Sequence, residues 1–312
     1  MTARTGYGFL SLDTRTFFAA AKGSYLMITQ PFDPVRYKEG LRRDWDAVAA
    51  GWKQWWKTIE QGAQPVSDRL VALAKIQPGH WVLDVATGIG EPAITAARIV
   101  GPTGRVVGID QAPRMLAIAR ERAASLGLQH IDFVEMDAEA PEFPAFTYHS
   151  ILCRWGLMFL PNLAATLRKF RGLLKSEGRL AAAVWGPPTN VPLISVTMNT
   201  VRHELKAPPL PTDVPGPFSL ADVTVLEQTL SKAGFTDIRS EQLTVTFEWA
   251  SAEAYTGFQQ AIAAPIQAML VNEPTERQEH VWRAVTDAAR KHADSEGILK
   301  LRNQAICVTA RR

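Results

Sequence analysis

The sequence predicts an α/β protein with a doubly wound, largely parallel sheet, and three observations carry that prediction. From Trp81 to Trp185 short β-rich runs alternate with helical ones, the order that builds βαβ units. The first of these strands, Trp81–Val85, runs without a break into a turn of small residues, Ala86 to Gly90. A helix opened by Glu91 and Pro92 follows it. An apolar strand feeding a turn almost free of side chains brings backbone close to a ligand, because glycine permits both the dihedrals and the approach.

The elements follow in order. Residues 1–37 read as a partly disordered N-terminal tail. Its apolar patch, Phe17 to Ala21, is too short for the core of a secretory signal. Residues 38–76 read as helical, with Leu41, Trp45, Val48, Trp52, Trp55 and Trp56 on one aromatic face. A second helical pattern covers Val66 to Ala74, and Gln77-Pro78-Gly79 turns the chain into the strand at Trp81. After it come helix Pro92–Ile99, strand Arg105–Ile109, helix Pro113–Leu126, strand Ile131–Glu135, strand Ser150–Arg154, helix Leu163–Leu174 and strand Arg179–Trp185. The regular pattern then breaks. Residues 186–218 are proline-rich, with one helix near Leu193–Leu205, and 252–295 are helical, with a break expected at Pro265. Between them lie helix Leu220–Ala233, with Gly234 as its cap, and strand Thr236–Thr246. A strand over Ala305–Ala310 closes the chain. On this reading 38–76 is a lid, 77–312 the main domain, and 186–218 with 252–295 its substrate-cap insertions.

Composition narrows the function. A chain of 312 residues with 46% hydrophobic and 21% charged residues is ordinary for a globular protein of one or two domains. A net charge of +3, with basic residues scattered, argues against a nucleic-acid partner. Two cysteines make neither a disulfide framework nor a zinc site and fit a reducing, cytoplasmic setting. No transmembrane run is present, no His/Cys/Asp spacing suggests a metal, and the expected partner is a small-molecule substrate.

Which ligand the turn holds is decided by acids. Gly88, Gly90 and Ala93 satisfy the G-x-G-x-x-G/A spacing of dinucleotide-binding sites loosely. Glu91 at the helix start speaks against a pyrophosphate there and in favour of a ligand with positive charge. Asp110, ending the second strand, is placed to accept from ribose hydroxyls, and Asp137, after the third, from an exocyclic adenine amine. A rival role exists for each, since strand-end acids often cap the following helix.

Together Val-Leu-Asp-Val-Ala-Thr-Gly-Ile-Gly (82–90), Val-Gly-Ile-Asp (107–110), Met-Asp-Ala (136–138), Leu-Cys-Arg-Trp (152–155), Leu-Leu-Lys-Ser-Glu-Gly (173–178) and Ala-Gly-Phe-Thr-Asp-Ile (233–238) resemble the class I S-adenosylmethionine-dependent methyltransferases. The resemblance is to their small-molecule branch, similar to the ubiquinone/menaquinone-type enzymes. It implies a seven-stranded, Rossmann-like sheet with an antiparallel last strand, and S-adenosylmethionine as cofactor. By position, Asp84 orients the loop or meets the methionine amino group through water, the backbone at Ala86, Thr87 and Gly88 faces the methionine part, and Gly90 is a further cofactor-binding position. Asp110 holds the ribose, Gln111 and Met115 border the adenine, Asp137 and Ala138 meet its amine and ring nitrogen, and the Cys153 carbonyl lies near the amino group. Two positions depart from the family: Ala86 replaces its first glycine, and His149 stands where an acid usually follows the aromatic opening strand four.

Methyl transfer asks the protein to align an already activated donor with its acceptor and to keep water out. Trp45 and Trp52 are expected to cover the cofactor, since aromatic faces attract a sulfonium, while Trp55 and Trp56 serve equally well as packing. Trp155 and Met158 are expected to face the substrate. Arg154 and His203 are the candidate catalytic groups, His203 as a base in the cap insertion, against the plainer readings of a salt bridge and a solvated histidine. Met158, Phe159, Met198, Phe218, Phe258, Met269 and Trp282 are candidates for an apolar substrate surface. The expected function is methylation of a small, apolar or aromatic metabolite. The alternatives are a binding protein on the same fold and a nicotinamide-dependent oxidoreductase, the latter disfavoured by Glu91 and Asp137.

Overall fold

The computed structural model describes residues 32–207 and 214–312, together with the backbone of two N-terminal strands, β1 (Thr16–Ala21) and β2 (Ser24–Thr29), which pair antiparallel. Of the rest of the predicted tail, residues 32–37 are described and 34–37 already belong to the first helix, while the others lie outside the described residues. Helices α1 (Pro34–Ala47), α2 (Ala49–Gln54) and α3 (Trp56–Leu73) follow. Asp33 caps α1, accepting from the amides of Val35 and Arg36. The boundary expected before Val66 does not exist: α3 runs through Pro65 as one helix. Its buried residues Ile59, Gly62, Ala63, Val66, Ser67, Leu70 and Val71 recur at three and four, so packing holds the helix across the hydrogen bond that Pro65 cannot make. Gly62 is required there, because a Cβ would collide with the Phe247 ring.

The central unit alternates as predicted: β3 (Trp81–Val85), α4 (Ala93–Val100), β4 (Arg105–Asp110), α5 (Pro113–Ser125), β5 (Ile131–Glu135), β6 (Tyr148–Arg154), α6 (Leu163–Leu173) and β7 (Leu174–Trp185). Beyond it come α7 (Pro192–Leu205), α8 (Val223–Lys232), β8 (Thr236–Trp249), α9 (Ala252–Ile262), α10 (Ala264–Leu270), α11 (Thr275–Arg290) and β9 (Leu299–Arg311). The break between α9 and α10 falls at Ala263, with Pro265 in the first turn of α10. Helix α8 begins later than Leu220 because the Asp222 carboxylate accepts from the amides of Thr224 and Val225 and sets its start.

The seven strands lie in the order β5-β4-β3-β6-β7-β9-β8. Strands β3 to β7 are parallel, and β9 is antiparallel to both its neighbours. β8 and β9 pair from Thr236–Arg311 to Trp249–Leu299, well past the predicted ends. Alternating polar residues such as Thr244, Thr246 and Glu248, on the outer face of an edge strand, hide that length from a search for apolar runs. β3 is the centre: Val82, Leu83, Asp84 and Val85 are all buried. The chain winds outward from β3 to β4 and β5, then returns to β6 on its other side. The crevice at this reversal, above the carboxyl ends of β3 and β6, is where doubly wound sheets bind ligands.

Helices α1 and α2 close that end. A small cluster of Val48, Ala49, Ile89, Ala112, Met115 and Ile118, with Trp45, Trp52 and Trp56 packed on it, ties them to the loop after β3 and to α5. Polar contacts reinforce the docking: Arg42 reaches the Gln111 carbonyl and Glu135, and Asp46 accepts from the Arg114 amide. Among the described residues no helix is long and apolar enough to cross a membrane.

Candidate active site

One cavity of about 280 Å³ occupies the crevice, reaching from the loop after β3 to the underside of α7 and α9. The loop is shaped from beneath. Asp84 is fully buried, and its Oδ2 accepts from Thr87 Oγ1 (2.6 Å) and the Ala93 amide (3.0 Å), joining strand, turn and helix. Burial pushes its pKa up to about 7, and its Oδ1 has no partner among the described residues. Asp84 does not line the cavity, so of its two expected roles the structure supports orienting the loop and not reaching the methionine part.

Ala86, Gly88 and Gly90 all take positive φ, 56°, 55° and 100°. Ala86 therefore holds the left-handed conformation that glycine supplies more cheaply. Its methyl group fits because residue 156 is glycine: a Cβ there would lie 2.6 Å from the Ala86 Cβ and 2.8 Å from Cys153 Sγ. Above Gly88 no described residue lies within 4 Å of where a Cβ would stand, so a ligand has room against its backbone. Ala86, Thr87 and Gly88 line the cavity and Gly90 does not. A Cβ on Gly90 would press on Ile94 and Ala119 at 3.0 and 3.2 Å, so this glycine serves the packing of α4 on α5.

Asp110, Gln111, Met115 and Ala138 line the next stretch of wall. The Asp110 carboxylate accepts from the amides of Gly88 (2.8 Å) and Ala112 (2.9 Å), and burial raises its pKa. It thus fixes the loop and keeps its remaining lone pairs for a ligand. Asp137 departs from expectation. Its side chain does not line the cavity; Oδ2 pairs with Lys38 Nζ at 2.5 Å, and Oδ1 accepts from the Glu139 amide and Gln111 Nε2. A lysine brought in by the lid has claimed it, a partner that strand-end position alone could not reveal. Cys153 is likewise buried behind the wall.

Trp45 and Trp52 line the cavity as expected, in edge contact with each other at 5.7 Å. Trp52 Nε1 donates to the Ile262 carbonyl (3.3 Å), tying α2 to the end of α9. Trp55 packs edge-on against Phe258 and Trp56 lies beneath the Arg122 guanidinium; neither reaches the cavity. At the other end Arg154, Trp155 and Met158 form the wall, with Trp155 stacked on Trp185 at 4.1 Å. Trp155 has φ 61°, unusual for a bulky side chain, and the strain keeps its ring at the carboxyl end of β6.

His203 is not in the site. Helix α7 turns Leu193, Ile194 and Met198 towards the cavity, and His203, five residues past Met198, lies about 140° round the helix from it. It is exposed, in a separate surface hollow with Asn199, Arg202, Lys206 and Arg277. Of the apolar candidates, Met158, Phe159, Met198 and Phe258 line the cavity, and Phe218, Met269 and Trp282 pack elsewhere. Lys38, Arg42, Trp185, Phe247 and Gln259 line it without having been singled out. They sit on four different elements, Lys38 and Arg42 together on α1, and carry no local motif. His149, at the family's acid position, accepts from the Trp81 amide through Nδ1 (2.9 Å), far from the cavity. No cluster of metal-ligating side chains is found among the described residues.

Glu91 completes the site. It is buried beside the loop, Oε2 accepts from Thr95 Oγ1 (2.6 Å), and Oε1 has no hydrogen-bond partner. That oxygen faces Arg122 Nη2 at 3.8 Å, and a carboxylate so placed beside the cavity wall suits a cationic ligand better than a phosphate. Room over Gly88, an acid at the end of β4 and negative charge at Glu91 all fit S-adenosylmethionine.

Comparison with known proteins agrees. Residues 82–178 match the family described as a methyltransferase domain. The chain is 38% identical over 117 residues to the aklanonic acid methyltransferase DauC of Streptomyces sp. (strain C5), covering 38% of this chain and 53% of that protein. It is 31% identical over 164 residues to the ubiquinone/menaquinone biosynthesis C-methyltransferase UbiE of Pseudomonas putida, covering 52% of this chain and 59% of that one. The chain thus spans somewhat over half the length of the curated relatives it matches. Among solved structures, a putative methyltransferase from Bacillus halodurans superimposes with a TM-score of 0.52 at 22% identity, over 78% of this chain and 97% of that one.

Proposed function

We propose that this chain, which carries the domain of the class I S-adenosylmethionine-dependent methyltransferases, methylates a small apolar or aromatic metabolite. The observation that carries the reading is the continuity of one cavity. The loop after β3 and Asp110 lie at one end, and Trp155, Trp185, Met198 and Phe258 at the other. A donor and an acceptor bound in it share one desolvated space. The relatives named above take their names from small molecules, aklanonic acid and the quinones ubiquinone and menaquinone, which is the size class the cavity suits.

The cofactor supplies a methyl group on a positively charged sulfur, which leaves as a neutral thioether. The chain's own residues align and desolvate. Asp110 would hold the ribose with the lone pairs its two amide partners leave free. Ala86, Thr87 and Gly88 would present backbone to the methionine part, and Trp45 and Trp52 would cover it. Glu91 supplies negative charge for the cofactor's cations. The indoles and the aliphatic wall exclude water, which both strengthens these interactions and prevents hydrolysis.

The test is direct. The protein should bind S-adenosylhomocysteine in calorimetry and show no comparable heat with NAD. Incubation of a metabolite extract with methyl-labelled S-adenosylmethionine should label a low-molecular-weight, organic-extractable product. Binding without any labelled product would leave the fold serving another chemistry, and absence of S-adenosylhomocysteine binding would end the proposal.

A further inference from the structure

Among the charged groups facing the cavity, Arg154 stands apart. Lys38 is paired with Asp137 and Glu139, and Arg42 with Glu135. Arg154 makes no ion pair among the described residues. Its Nη1 donates to Ser67 Oγ (2.8 Å) and the Ala63 carbonyl (3.5 Å), both on α3. Its Nε and Nη2 have no partner among the described residues, and neither is sealed from solvent. They therefore open into the cavity that the residue lines. Around it the wall is aromatic and aliphatic, with its guanidinium carbon 5.2 Å from the Trp155 ring. A guanidinium in such surroundings, fixed at one nitrogen and free at two, presents a preorganised fork to an oxyanion. Burial depresses its pKa, and the more distant charges of Glu91 and Asp84 oppose that depression.

A second observation points the same way. Among the described residues no histidine, cysteine or tyrosine lines the cavity. Its two carboxylates are engaged: Asp110 by two backbone amides and, on the proposed reading, by the ribose, and Glu91 by Thr95 at Oε2 and Arg122 at Oε1, the latter shut off from solvent. The site has no ready base to take a proton from a weakly acidic acceptor. An acceptor that arrives already ionised needs none.

We propose that Arg154 anchors an ionised oxygen of the methyl acceptor, so that the substrate class is an aromatic or apolar acid: a carboxylate, phenolate or enolate. This rests on the methyltransferase reading for the word acceptor, and on the cavity alone for the anion site. The guanidinium stabilises the anion over its conjugate acid, lowering the pKa of the bound group, and its attachment to α3 through Ser67 fixes where the oxygen sits. Trp155 and Trp185 flank the apolar body.

The experiment uses the full chain saturated with S-adenosylhomocysteine and two probes of nearly the same shape, 2-naphthoate and 2-naphthamide, in calorimetry at pH 7.5. The wild type should bind the carboxylate at least tenfold more tightly than the amide. Arg154→Met should bring the two within twofold while leaving S-adenosylhomocysteine affinity within threefold, and Arg154→Lys should keep part of the preference as a point charge without the fork. Equal binding of the two probes by the wild type, no measurable binding of either at millimolar concentration, or a preference that survives in Arg154→Met would each overturn the proposal. The wild-type ratio decides even if a variant does not fold. A wild type that prefers naphthoate yet shows no affinity for S-adenosylhomocysteine would sink the methyltransferase reading and leave the anion site standing.

Discussion

Asp84→Asn should make the protein more stable at pH 8 than the wild type, by an amount that shrinks towards acid pH. Asp84 is fully buried on the central strand, and its carboxylate has one oxygen bonded to Thr87 and Ala93 and the other without a partner. Burial raises its pKa from 3.8 to about 7, against the opposing pull of Thr87, Arg154 and the Ala93 amide. A carboxyl whose pKa is higher folded than unfolded takes up a proton on folding between those two values. Its stability contribution is then complete below the unfolded pKa and is lost as pH rises through the folded one. Roughly three pH units at about 1.36 kcal/mol each set an upper bound of about 4 kcal/mol for that loss. Asparagine keeps an acceptor for Thr87 and Ala93 and places its NH₂ where Oδ1 is unpartnered, with no charge to desolvate. Urea unfolding of both proteins at half-unit steps from pH 4.5 to 8 measures the difference. A wild-type-minus-variant stability that stays flat across that range, or that moves in favour of the wild type as pH rises, would refute the assignment of Asp84 as a strained buried acid.

The remaining predictions concern the site and its frame. Asp110→Ala removes a charged acceptor from two backbone amides and, on the proposed reading, from the ribose. S-adenosylhomocysteine affinity should fall more than tenfold, about 1.4 kcal/mol or more, and unchanged calorimetric affinity would remove Asp110 from the cofactor site. Gly156→Ala should cost about 1–3 kcal/mol in urea unfolding, since its Cβ would lie 2.6 Å from that of Ala86. Adding Ala86→Gly should recover part of this, and strict additivity of the two changes would deny the contact. His203→Ala should leave turnover and S-adenosylhomocysteine affinity unchanged in the same assays, because its surface hollow does not join the cavity. His80 and His149, stacked at 4.4 Å, both have pKa values lowered by burial and by Lys175. Their contribution is present above the unfolded value of 6.5 and is lost as pH falls below it, so NMR titration should find both midpoints under 6.5.

Much of the frame was legible along the chain. The alternation from Trp81 to Trp185 and the small-residue turn name strands, helices and the ligand-binding end, because a parallel strand buried on both faces must be an apolar run. Where the element ends were missed, a local polar device or an alternating edge strand decided them, as at Asp222 and along β8. The loop residues Ala86, Thr87 and Gly88 and the acid Asp110 were readable for the same reason: backbone approach and a strand-end carboxylate are features of consecutive residues. The pairing of Asp137 was not legible because its partner, Lys38, lies 99 residues away in sequence, nor was the outward position of His203, because a helical position five residues off the cavity face looks, in sequence, as near the pocket as Met198.

The order of elements, the glycine-rich turn and the strand-end acid Asp110 therefore belong to the sequence, which encodes them through local periodicity and short-range steric demand. Which side chains share the acceptor's end of the cavity was settled only by tertiary structure. Trp185 on β7, Phe247 on β8, and Phe258 with Gln259 on α9 come from three elements that the sheet and its cap bring together. Whether a charge there is paired or free depends on packing between those elements. Arg154 is the instance that matters most: a residue that in sequence reads equally as a salt bridge is held by α3 at one nitrogen, with no ion pair among the described residues, and lines the cavity.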